Sequence, residues 1–147
     1  MSDGLRVKGD ELKEKQKFLE VGEKTLELAI KAAKSGNRVG DISKTIQTGI
    51  EEGGYSIVYS LTGHGVGRKL HEDPLIPGFI RGKIENTPLL TAGMTLAIEV
   101  IYAKGKGTIV YDTDDGWTLA SKDRSMTAVF EHSVALTDKE TIVLTSP

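Results

Sequence analysis

The stretch Thr62-Gly63-His64-Gly65-Val66-Gly67-Arg68-Lys69-Leu70-His71-Glu72-Asp73-Pro74 constrains this chain more than any other. Its alternating glycines let backbone approach backbone, or a ligand, where a Cβ would clash. Pro74 fixes its own φ and drives Asp73 towards an extended conformation. Two of the chain's three histidines lie inside it. The stretch reads as a loop between strands, where an imidazole serves as a metal ligand or an acid/base group. An ordinary glycine-rich turn is the alternative reading.

The segments on either side differ in period. Upstream, Glu11 to Lys34 is helical, with Phe18, Val21, Thr25, Leu28 and Ala32 on one stripe and Leu19, Gly22, Leu26, Ala29 or Ile30, and Ala33 on the next. Two adjacent stripes predict a helix that is well covered. Residues 1–10 read as an extended lead-in, and residues 11–147 as one domain. Ser35-Gly36-Asn37 stops the first helix, and Asp41 is the expected N-cap of a second, which Gly53-Gly54 ends. After Gly54 the composition turns to β. Strands are expected at Tyr55–Leu61, Met94–Tyr102 and Met126–Leu136, with a short one at Thr141–Thr145. A hairpin pair, Thr108–Asp112 and Trp117–Ala120, flanks the Asp115-Gly116 turn. Residues 75–93 form a long irregular connection, of the kind that usually carries function. Two helices followed by a mainly antiparallel sheet make an α+β domain.

The two strand glutamates carry the chemical argument. In Met94–Tyr102 the even positions are continuous core, and Glu99 lies on the opposite face beside small residues. Glu131 is placed in the same way in Met126–Leu136, while His132 points to the other side as a core or supporting histidine. A lone strand glutamate is most often a solvated side chain. Two in apolar strands of one small sheet, with a glycine-framed histidine, favour a site. A buried carboxylate needs a cation, a proton or strong donors. Two carboxylates with an imidazole suit a divalent transition metal better than magnesium or calcium.

Composition narrows the partners. A net charge of −2 over 147 residues leaves no electrostatic footprint for nucleic acid or an acidic membrane. The chain has no cysteine, which excludes disulfides and thiolate metal sites. The start carries no apolar signal core, and no stretch is long and apolar enough to span a bilayer, so a cytoplasmic location is expected.

Taken together, Thr62-Gly63-His64-Gly65-Val66-Gly67, His71-Glu72-Asp73-Pro74, Gly93-Met94-Thr95-Leu96-Ala97-Ile98-Glu99, Asp115-Gly116-Trp117-Thr118 and Phe130-Glu131-His132 resemble the type I methionine aminopeptidases. The resemblance runs from about Val7 to Thr145. It implies the C-terminal half of the two-halved "pita-bread" fold, and a metalloaminopeptidase that removes N-terminal methionine from peptides. By resemblance, His64, Glu99 and Glu131 are metal ligands, with Glu131 bridging. His71 contacts substrate near the scissile carbonyl, and Leu70 and Trp117 line the pocket for the methionine side chain. The resemblance implies a bound metal that would supply a hydroxide nucleophile for the carbonyl, with Glu99 passing protons as base and acid. The complete family site holds two ions of Mn, Co, Fe or Zn; at most one is expected here. The family's two aspartate ligands belong to the other half, and neither Asp3 nor Asp10 matches them. The family usually has proline after the glutamate matched by Glu99, where this chain has Val100.

Half a fold leaves an apolar sheet edge open. The resemblance therefore implies docking with a separate N-terminal half, or self-association across that edge. The expected substrate is a peptide with N-terminal methionine. A non-catalytic peptide- or protein-binding module on the same scaffold, and a structural half-domain with no ligand, are the competing readings.

Overall fold

A computed structural model describes residues 3–146. Two helices, α1 (Asp3–Ala32) and α2 (Val39–Glu52), precede eight strands: β1 (Ser56–Ile57), β2 (Thr62–Gly65), β3 (Glu72–Pro77), β4 (Thr95–Ala103), β5 (Ile109–Tyr111), β6 (Leu119–Ser121), β7 (Thr127–Leu136) and β8 (Thr141–Val143). The main sheet is six-stranded, ordered β3-β2-β4-β7-β8, with β1 pairing the far end of β4. All of its pairings are antiparallel. Strands β5 and β6 form a separate two-stranded ribbon. The α+β expectation holds.

Both helices lie on one face of the sheet. From α2 come Val39, Ile42, Ile46 and Ile50, a stripe with helical spacing, all buried. From β4 come Leu96, Ile98, Val100 and Tyr102, the even-numbered face that strand alternation predicts. Val100, where the resembled family has proline, is therefore fully buried and points away from Glu99. On α1 the covered residues (Phe18, Thr25, Leu26 and Ala29, with Ala33 just past its end) follow a line between the two stripes, whereas Leu19 and Leu28 at their outer sides are 49% and 41% exposed. The wide apolar face read from the sequence is thus only half used, because sheet and α2 meet α1 along a single line.

Tyr102 anchors this interface. Its ring lies 4.6 Å from that of Phe18, and its hydroxyl donates to the Phe18 carbonyl of α1. Burial pushes the phenol up to about 12, so it stays a donor. Replacing Tyr102 by phenylalanine should cost about 1 kcal/mol, the net worth of one buried hydrogen bond, measured by urea unfolding.

Local readings changed in four places. Residues 3–10, expected as an extended lead-in, are helical; Met1 and Ser2 lie outside the described residues. Gly9 costs a helix about 1 kcal/mol, and the good helix formers around it absorb that. The N-cap of α2 is Arg38 rather than Asp41; Asp41 sits one turn in and accepts the Arg38 amide at 2.8 Å. The predicted strand Tyr55–Leu61 shrinks to Ser56–Ile57. Finally, the histidine "loop" is a β-hairpin: His64 is on β2, and β3 takes in Leu75, Ile76 and Pro77 from the expected connection. A glycine-rich strand has little β signature, which is why it read as loop.

Candidate metal and peptide site

Register brings the predicted residues to one face. His64 pairs with Ala97 across β2 and β4, and Glu99 pairs with Glu131 across β4 and β7. Since alternate residues share a face, His64, Glu99 and Glu131 all project from the side of the sheet opposite the helices. His64 Nε2 lies 3.3 Å from Glu99 Oε1, and the two side chains are 7% and 17% exposed. Glu131 is exposed beside them.

The imidazole is held in a defined orientation. His64 Nδ1 lies 2.8 Å from the Gly65 carbonyl oxygen, which can only accept, so Nδ1 carries the proton and Nε2 is the nitrogen facing Glu99. The Gly65 carbonyl is the functional group that sequence reasoning missed. Backbone atoms have no letter code, and only the glycine hinted at close packing. A β-bulge follows: the β2–β3 register slips between His64, which pairs with Leu75, and Gly65, which pairs with Glu72, leaving Asp73 and the cis-linked Pro74 as the extra residues between them. A Cβ on Gly65 would stand 2.3 Å from the Asp73 carbonyl oxygen.

The electrostatics disfavour two ionised carboxylates side by side. Burial raises the Glu99 carboxyl above its ordinary range, and the facing Glu131 raises it further, while His64 opposes both. Like charges directly opposite on neighbouring strands repel. Among the described residues, no three such groups close around one point at metal-holding distance.

His71 and the apolar residues lie further out. The His71 ring stands edge-on to His64, centroids 4.3 Å apart at 67°, and is exposed at the end of the hairpin. Leu70 beside it is 71% exposed. Trp117 belongs to the separate ribbon and is 85% exposed. Its backbone is nonetheless fixed, because Asp115 accepts the Trp117 and Thr118 amides at 2.8 and 2.9 Å. The Thr118 hydroxyl above all, and then those two amides, hold the Asp115 carboxyl well below the usual range. The structure thus gathers His64, Glu99, Glu131 and His71 on one face, leaves Leu70 at its rim and carries Trp117 on another element. His132, on the helix side, meets the Thr145 hydroxyl at 2.8 Å.

Residues 5–138 match the sequence profile of metallopeptidase family M24. The chain belongs to family M24. Among curated M24 relatives, methionine aminopeptidase of Aquifex aeolicus is 42% identical over 132 residues, covering 90% of this chain and 51% of that protein. Methionine aminopeptidase 1 of Bacillus subtilis is 41% identical over 130 residues, 88% of this chain and 51% of the relative. The solved methionine aminopeptidase of Thermotoga maritima superimposes with a TM-score of 0.81 at 41% identity, over 87% of this chain and 50% of that one. The prolidase of Pyrococcus furiosus, 22% identical with a TM-score of 0.62 over 87% of this chain and 31% of its own, shares the fold. This M24 chain spans about half the length of the curated relatives it matches. No helix among its described residues is long and apolar enough to cross a membrane.

Proposed function

We propose that this chain is the half of a methionine aminopeptidase that carries His64, Glu99 and Glu131, which would hold a divalent transition metal (Mn, Co, Fe or Zn). The observation that carries this reading is the oriented imidazole: Gly65 ties Nδ1 and leaves Nε2 aimed at Glu99, on the face shared with Glu131. One nitrogen and two facing carboxylates are a donor set that fits such an ion. Once bound, the ion would polarise a peptide carbonyl and acidify water.

The remaining work falls to the chain's own side chains. Glu99, partly withdrawn from solvent, takes and returns a proton as general base and acid. His71, exposed and edge-on to His64, donates to the substrate near its scissile bond. Leu70 and Trp117 present apolar surface to a methionine side chain. The substrate is a peptide with N-terminal methionine, and this chain alone binds at most one ion, weakly.

Methionine release from a Met-Ala-Ser peptide with added Mn²⁺ or Co²⁺ tests the proposal, with and without a polypeptide supplying the half that the relatives carry. Turnover is expected only with both. The lack of a closed three-group cluster among the described residues favours one rival, a peptide- or protein-binding module on the same scaffold. Metal uptake and turnover both absent in every mixture would select that module.

A further inference from the structure

Two hydrogen bonds strap the segment after β3 to helix α2. The Ile80 amide donates to Gln47 Oε1 at 3.2 Å, and the Gly40 amide donates to Thr87 Oγ1 at 2.9 Å. Ser43 lies between the two straps, on the helix face that Gly40 and Gln47 share. It is 1% exposed, and its hydroxyl is the one buried side-chain group among the described residues without a hydrogen-bond partner. An unpaired buried hydroxyl costs stability that an alanine would not. Ser43 lines a cleft of about 470 Å³ at the β3 end of the sheet, away from β7 and β8. None of His64, Glu99 and Glu131 lines it. Part of the lining is aromatic: the Tyr59 and Phe79 rings meet edge to face, centroids 4.7 Å apart at 71°. The Arg81 guanidinium carbon lies over the Phe79 ring, 5.0 Å from its centroid. Arg81 is the single charged residue of the lining, is exposed, and has no carboxylate partner among the described residues.

We propose that this cleft binds a small aromatic carboxylic acid carrying a ring hydroxyl. The ring packs against Phe79 and Tyr59, where aromatic pairs gain beyond their buried area. The carboxylate meets Arg81, whose planar fork suits that group, and one negative charge balances the one positive charge of the lining. A dianion such as a phosphate monoester would find no second cation there. The ring hydroxyl pairs with Ser43, which can donate or accept and so gains the partner it lacks in the protein itself. A water molecule would satisfy Ser43 but leave the rings and the guanidinium unused. The volume falls within the range of small-molecule pockets, and an apolar lining with a few polar groups is their usual make-up.

The probe is para-hydroxyphenylpropionate, titrated into the chain with a chelator present and followed through backbone amide shifts by NMR. Saturable shifts are expected at residues 39–47 and 79–88, with a Kd of about 1 mM for a ligand of about a dozen heavy atoms. The corresponding amide, which has no charge, should bind about tenfold more weakly, and Arg81→Gln should weaken the carboxylate by about the same factor. Phenylpropionate, without the hydroxyl, should bind wild type about fivefold more weakly, and that difference should vanish in Ser43→Ala. Ser43→Ala without ligand should be at least as stable as wild type in urea, since it removes an unpaired group. A less stable Ser43→Ala protein would show that the hydroxyl already has a partner, and would overturn the proposal. So would the absence of saturable shifts, or shifts confined to residues 62–71, which would place the acid near His64 instead. So would a hydroxyl preference that Ser43→Ala leaves intact. Neither Ser43 nor Arg81 belongs to the candidate metal site, so none of these results bears on methionine release or metal uptake.

Discussion

Replacing Gly65 with alanine should destabilise the chain by about 3 kcal/mol and disable the histidine in the same stroke. The added Cβ would sit 2.3 Å from the Asp73 carbonyl oxygen, 2.8 Å from its carbon and 3.0 Å from the Glu72 carbonyl oxygen. These are backbone atoms within the bulge, so no flexible side chain can swing aside. The strand must move, and the Gly65 carbonyl that holds His64 Nδ1 moves with it. Overpacking a buried position against rigid atoms reaches the upper end of its usual cost, here a large share of a small domain's stability. Gly9→Ala is the control: nothing lies within 4 Å of that Cβ, so a helix former there should be neutral or slightly stabilising. Urea melts of both variants check the ordering. A Gly65→Ala protein as stable as wild type would mean that the bulge is not packed as described.

The legible parts of this molecule were those written in periodicity. Ile42, Ile46 and Ile50 gave the buried stripe of α2, and alternation in β4 put Leu96 to Tyr102 inside and Glu99 outside. That alternation places Glu99 and Glu131 on a common face without coordinates, provided the strands pair in register, and they do. Asp115-Gly116 located the ribbon turn because an Asx side chain bonding ahead is local chemistry. What stayed hidden was non-local. Thr62 to Gly65 is a strand only because β3 and β4 flank it; nothing in Thr-Gly-His-Gly itself favours extension. The N-cap of α2 shifted to Arg38, whose guanidinium is also drawn to the Thr87 carbonyl at 2.6 Å, a contact across 49 residues. The exposure of Leu19 and Leu28 likewise depends on where the sheet ends, which helix periodicity cannot report.

Glu99→Gln should move stability and metal affinity in opposite directions. In metal-free protein the wild-type carboxylate is partly buried and faces Glu131. An amide of the same shape relieves both penalties, so the variant should be about 1 kcal/mol more stable at neutral pH. The pH dependence fixes the sign. Because its folded-state pKa is raised, Glu99 holds its proton more tightly folded than unfolded. Its contribution is therefore most favourable below the ordinary carboxylate range and is lost as pH rises through the folded value. The advantage of the variant should vanish in acid and appear towards neutrality, in thermal melts with a chelator present. Calorimetric titration with Mn²⁺ or Co²⁺ should show the opposite, a loss of affinity of about a hundredfold or more, since an amide oxygen cannot replace a carboxylate against a dication. Glu131→Gln should lose affinity in the same way, and equal affinities would remove Glu131 from the site. A glutamine at residue 99 that raised stability without touching metal affinity would leave a strained pair of acids with no ion to explain them. The conjunction of the two effects is what a metal site requires, because a residue kept for folding alone would not be one whose removal stabilises the fold.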